Sequence, residues 1–107
     1  MLGEALHDPT DGPARVTVSV VTILPGAEAI FHRHPVPLVG YILEGELTVD
    51  YVGRGTRVFR KGEAMVEAMN VTHRGMYLGK ETVRILATYL GAEGVSNVVL
   101  EKQPGGN

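Results

Sequence analysis

Three of the four histidines in this chain, His32, His34 and His73, have types and spacings that could hold a metal ion. His32 and His34 are two residues apart, so on a β-strand both imidazoles project from one face. Two imidazoles on one pleated face can each direct a ring nitrogen at a single ion, and a third from a neighbouring strand would close the site. An all-imidazole set suits a divalent transition metal, and affinity order does not choose among Fe, Mn, Ni, Cu and Zn. The chain contains no cysteine, which removes thiolate ligands, disulfides and a cysteine nucleophile. The fourth histidine, His7, falls in a leader segment and is read as incidental.

Strands must position these groups, and the sequence supplies them. Arg15–Leu24, Glu46–Val52 and Thr82–Tyr89 alternate with period two, the mark of half-buried strands. Val16, Val18 and Val20 oppose Thr17 and Ser19; Leu47, Val49 and Tyr51 oppose Thr48 and Asp50; Val83, Ile85, Ala87 and Tyr89 oppose Thr82, Arg84 and Thr88. Shorter candidates are Ala29–His34, Val39–Leu43, Thr56–Arg60, Ala64–Ala68 and His73–Tyr77. Glycine and proline interrupt the chain about every ten residues, as at Pro25-Gly26, Gly45, Gly53, Gly62, Gly79 and Gly94, the rhythm of an all-β sandwich or barrel. No helical periodicity with caps reaches three turns. Pro35 and Pro37 remove two backbone donors, so residues 35–37 form a rigid bend beside His34 and not a central strand.

A length of 107 residues fits one domain, with a core over about residues 15–95, a flexible N-terminal leader and a flexible C-terminal tail. The net charge of −2, with no Lys/Arg cluster, gives no electrostatic case for nucleic acid or an anionic membrane as partner. The most apolar run, Val16 to Leu24, is too short to span a bilayer. The opening MLGEALHDPTDGP has neither a basic nor an apolar signal region, so the expected compartment of the chain as written is the cytoplasm.

The residues around the histidines resemble the two motifs of the cupin superfamily, in its small single-domain form. Gly26, His32, His34 and Gly45 fall on the first motif, whose glutamate position is here Leu38. Gly62 and His73 fall on the second, whose Pro, Gly and Asn positions are here Ala68, Asn70 and Tyr77. The resemblance implies a double-stranded β-helix barrel, jelly-roll-like, with His32, His34 and His73 as ligands of a divalent metal. Leu38 cannot supply the family's fourth, carboxylate ligand. Three neutral imidazoles leave the ion's charge uncompensated and coordination positions open, which favours an anionic ligand and a catalytic type of site.

Glu67 is the one candidate to restore a carboxylate. It lies in the apolar run Ala64-Met65-Val66-Glu67-Ala68-Met69, where a charge needs a partner. An ion pair with Arg74 or Arg84 is the default, and a role as ligand or acid/base the alternative. Tyr77 shares parity with His73 and is either a pocket or a core residue. Glu28 reads as a solvated turn residue, Arg33 and Arg74 as solvated exterior residues, and Met65, Met69 and Met76 as barrel filling. Leu38 reads as wall packing that gives the pocket an apolar side.

Cupin-type oxygenases and isomerases have a similar ligand set, so one functional class is a metal-dependent enzyme acting on a small carbonyl or enol compound. A second is a non-catalytic module that binds or senses a small molecule; a third is a barrel whose histidines are remnants. A homodimer is implied by the family, and also by Val16–Leu24, which is apolar on both faces and must be covered twice.

Overall fold

The computed structural model describes residues 13–27, 30–76 and 80–101. Among them are nine strands and no helix: β1 (Ala14–Ile23), β2 (His32–Arg33), β3 (Leu38–Glu44), β4 (Glu46–Tyr51), β5 (Gly55–Arg60), β6 (Ala64–Val66), β7 (His73–Met76), β8 (Val83–Ala92) and β9 (Val99–Leu100). They form two antiparallel sheets, in the orders β1-β8-β3-β6 and β5-β4-β7-β2-β9. Apart from the β4–β5 hairpin, successive strands cross from one sheet to the other, and β2 and β7, which carry His32 and His73, both lie in the second sheet.

The alternations seen in the sequence decide which faces are buried. On β4, Leu47, Val49 and Tyr51 are buried while Thr48 and Asp50 are not; on β8, Val83, Ile85 and Ala87 point inward and Arg84 and Leu86 outward. Ile42, Met65, Val83 and Ile85 from one sheet pack with Leu47, Val49 and Tyr51 from the other, and Val21, Ile23, Phe59 and Val71 close over them. Each such aliphatic side chain removed from water contributes about 1.5–3 kcal/mol, which is what holds the two sheets face to face.

β1 lies along β8 in an unbroken ladder from Ala14↔Ala92 to Ile23↔Val83. Its inward residues include Val21 and Ile23. The valine row points the other way: Val16, Val18 and Val20 are 61%, 60% and 54% exposed. The register extends this apolar surface across three strands, through Val18, Thr88 and Val39 in one row and Val20, Leu86 and Tyr41 in the next.

Several boundaries differ from the sequence reading. Of the strand read as Ala29–His34, His32–Arg33 pair as β2, and Pro35 and Pro37 bend the chain immediately beyond His34. The strand read as Ala64–Ala68 stops at Val66, which leaves Glu67 on irregular backbone. β8 runs on to Ala92, and β9 was not foreseen, since a two-residue strand carries no periodicity. His7, Glu28 and Tyr77 lie outside the described residues. No helix among the described residues is long and apolar enough to cross a membrane.

The β3–β4 turn depends on one glycine. Gly45 has φ +77°, and a Cβ there would stand 2.7 Å from the Thr82 carbonyl oxygen. Gly53 has a similar φ of +74° but open space around it. Gly53→Ala should therefore cost only the backbone strain, about 1 kcal/mol, whereas Gly45→Ala should cost at least about 2 kcal/mol because backbone must also move. Urea unfolding of the two variants checks this, and equal losses would contradict it.

Candidate metal centre

His32 and His73 stand directly opposite one another across the β2–β7 pair, and Tyr51 is the cross-strand partner of His73 on β4. Directly paired residues on antiparallel strands share a face, so all three side chains point inward. His34 follows on the same face as His32. Its position is fixed by a bridge to Met69, and its carbonyl accepts the Asn70 N–H at 2.8 Å. Asn70 has φ +57°, the left-handed conformation that asparagine tolerates better than most residues. It thus keeps the backbone shape expected at a position where the cupin motif has glycine. The three imidazoles cluster with ring centroids 4.3 to 5.0 Å apart, and one ring nitrogen from each lies within 4.8 Å of the others.

The hydrogen bonds of the rings decide what they offer. Nδ1–H of His32 donates to the Ile30 carbonyl at 2.9 Å, that of His34 to the Asn97 carbonyl at 3.0 Å, and that of His73 to the Val71 carbonyl at 2.8 Å. A carbonyl only accepts, so each Nδ1 must carry the proton and each neutral ring presents a bare Nε2 lone pair. Ligand histidines in metalloproteins are oriented in this way. Burial lowers the His34 pKa from its ordinary 6.5 to about 4, and burial also lowers that of His32. Both rings are therefore neutral and able to ligate at pH 7.

Glu67 belongs to the same cluster, and its partners are not those expected from the sequence. Arg74 pairs with Asp50 and stacks over Phe31, and Arg84 pairs with Glu44; neither reaches Glu67. The physical reason is parity. Arg74 follows His73 and Arg84 follows Val83, so both leave the sheets on the side away from the interior. Arg33 also points away but is not simply solvated, since it pairs with Glu101 and donates to Asn70. Glu67 instead accepts a hydrogen bond from the Tyr51 hydroxyl and another from the Ala68 N–H, and its second carboxylate oxygen lies 3.8 Å from Nε2 of His73. His34, Glu67 and His73 are only 4%, 4% and 3% exposed, so these polar groups meet in a nearly dry place.

They open into a cavity of about 140 Å³ whose walls are mostly apolar, among them Leu38, Leu47, Val49, Met65 and Ile85. Leu38 thus packs the wall, as its type suggested, and Met65 fills the interior. Tyr89, the cross-strand neighbour of Leu38, lines the same space 5.7 Å from the His34 ring. Burial, and then the nearby Glu67 carboxylate, push the Tyr89 pKa up, so its hydroxyl keeps its proton and can donate.

The sequence reading brought His32, His34, His73 and Glu67 forward, and the structure places all four together. It did not single out Tyr51 or Tyr89 as members of the cluster. Their parity with Leu47 and Val49, and with Ile85 and Ala87, was the available signal. Asn97 could not have been found, because it acts through a backbone carbonyl 63 residues from His34.

Comparison with known proteins places this geometry in a family. No curated protein matches the sequence. Among solved structures, a conserved protein with a double-stranded β-helix domain from Klebsiella pneumoniae superposes with a TM-score of 0.67 at 17% identity, covering 89% of this chain and 90% of that one. The DMSP lyase DddQ from Ruegeria pomeroyi gives 0.67 at 22% identity, over 79% of this chain and 42% of the enzyme. The oxalate decarboxylase of Lactobacillus farciminis, in its formate complex, gives 0.65 at 20%, over 79% of this chain and 26% of the enzyme. At these identities the likeness is one of fold, and this chain spans less than half of either enzyme. The family model for the cupin domain matches residues 19–89, which include all three clustered histidines and Glu67. The chain belongs to the cupin family.

Proposed function

We propose that this protein binds one divalent transition metal through Nε2 of His32, His34 and His73 and uses it on a small carbonyl or enol compound. The observation that carries this reading is the set of three Nδ1–H bonds to backbone carbonyls, which leaves three lone pairs converging on one point. A bound ion of this kind supplies Lewis acidity toward a ligand oxygen, or a site for oxygen activation. The chain's own residues do the rest. The apolar walls exclude water and limit the ligand to a few heavy atoms. Tyr89 donates a hydrogen bond to a ligand oxygen, and Glu67 is the one carboxylate that lines the chamber among the described residues. The small-molecule enzymes among the structural neighbours agree with this class without naming the compound.

A homodimer completes the proposal. β1 sits at the edge of its sheet with a ten-residue ladder on one side only, and its outer face is the exposed valine row. The rows through Val18 and Val20 contain no charged side chain, so a second copy related by a two-fold axis can lie on them without burying an ion.

Four outcomes are expected. Protein prepared without a chelator or a histidine tag should contain, or take up, one equivalent of transition metal per chain by elemental analysis. His32→Ala and His73→Ala should each abolish stoichiometric binding, and undiminished binding in both would refute the assignment. The metal-free protein should also lose stability as pH falls. His34 binds a proton near pH 6.5 when unfolded but only near 4 when folded, so the unfolded state takes up more protons in between. Its unfolding free energy should drop by on the order of 3 kcal/mol from pH 7 to pH 4, with a smaller drop in His34→Ala; a flat profile for the wild type would contradict the burial of a neutral ring. Finally, Val18→Asp should convert a dimer at tens of micromolar into a monomer in sedimentation velocity, and a wild type that sediments as a monomer at that concentration would remove the dimer.

A further inference from the structure

We infer that Glu67 supplies the carboxylate ligand that the first cupin motif has lost at Leu38, handing the fourth coordination position from β3 to the segment after β6. The inference rests on the proposed three-histidine site and adds to it a ligand from outside the motif.

Position comes first. The Glu67 N–H donates to the Leu38 carbonyl at 2.9 Å, and Val39↔Val66 pair immediately beside it. Residues 38 and 67 are thus backbone neighbours, and both side chains line the same cavity as the three histidines. A carboxylate removed from 38 can be replaced from 67 with the smallest displacement the fold allows. Glu67 is buried and reaches inward on the same side as Met65.

The hydrogen bonds then separate the two carboxylate oxygens. Oε1 accepts both the Tyr51 hydroxyl and the Ala68 N–H. Oε2 accepts neither and lies 3.8 Å from Nε2 of His73. That nitrogen has no proton to give when the ring is neutral, because Nδ1–H is already committed to the Val71 carbonyl. With the ring neutral and the carboxylate ionised, an oxygen lone pair and a nitrogen lone pair face each other in a nearly dry chamber, a contact that a cation between them makes favourable. The spacing suits a shared ion, since donor atoms each about 2.1 Å from one metal stand about 3–4 Å apart. An outer-sphere role for Glu67 on His73 fails on the same ground: once Nε2 is on a metal, the ring has no N–H left for the carboxylate. Tyr51, 1% exposed, becomes the residue that orients the ligand.

The test is a set of cobalt(II) competition titrations on the full chain. Glu67→Gln should weaken cobalt binding by about 100-fold, beyond most outer-sphere losses. It should also tighten azide binding at the cobalt centre, because a dication held by neutral ligands attracts an anion more strongly. The exchange variant Leu38→Glu/Glu67→Leu should restore most of the lost affinity, since it moves the carboxylate back across one strand pair. Leu38→Glu alone should add little. If Glu67→Gln binds cobalt within about threefold of the wild type while His73→Ala does not, Glu67 is no ligand and the three-histidine reading stands. If His73→Ala also binds normally, that reading falls first. Should Glu67→Gln fail to fold or give an intermediate loss, a crystal structure of the cobalt-loaded wild type decides. A Glu67 oxygen within about 2.5 Å of the ion upholds the inference, and one beyond about 3.5 Å overturns it.

Discussion

Everything at the centre of this molecule depends on three imidazole N–H groups being tied to three backbone carbonyls. A histidine free to rotate can present either nitrogen and can meet its neighbours as donor or acceptor. Once the Nδ1 protons of His32, His34 and His73 are committed to Ile30, Asn97 and Val71, each ring has one face left, and it is an acceptor. Burial reinforces the choice, because a charged ring would have to give up water in an apolar chamber. The cluster consequently turns three lone pairs toward one another, the arrangement on which the proposed cation site rests.

The irregular parts of the second sheet follow from this requirement. The accepting carbonyls of Ile30 and Val71 lie just before β2 and β7, two residues upstream of the histidines they hold, on backbone not committed to a ladder. Longer regular strands would have placed those oxygens in cross-strand pairing. The prolines at 35 and 37 bend the chain immediately after His34, the residue that follows β2, and the left-handed Asn70 turns the chain back under His34. Short strands here are the price of aiming side chains.

Much of this was legible in the sequence because a strand has a period of two. Spacing alone grouped His32 with His34, and parity put Leu47, Val49 and Tyr51 on the inner face. The same rule, applied more strictly, would have excluded Arg74 as a partner for Glu67, since a residue adjacent to an inward histidine must point outward. What could not be read was whatever runs through the backbone or through strands too short to show a period. The Asn97 carbonyl and β9 are of that kind, as is the accident of pairing that makes residues 38 and 67 neighbours. The valine row of β1 was legible as a pattern but not as a direction. Its inner face is completed by Val21 and Ile23, and only the register with β8 shows that Val16, Val18 and Val20 look away from the core.

The hydrogen bond from His34 to Asn97 also bears on how the chain acquires its structure. The ladder that joins residue 14 to residue 92 and the bond that joins 34 to 97 are both remote in sequence, so this is a fold of high contact order whose closure is entropically slow. During synthesis His32, His34 and His73 all leave the ribosome before the carbonyl that orients the second of them. A nascent chain in that interval carries imidazoles with no fixed orientation, and flexible nitrogen ligands rank ions by affinity alone. The finished geometry, with its fixed ring orientations, exists only after the segment beyond β8 has docked. If the rings hold a metal as proposed, selectivity among ions belongs to the completed barrel and not to the nascent chain.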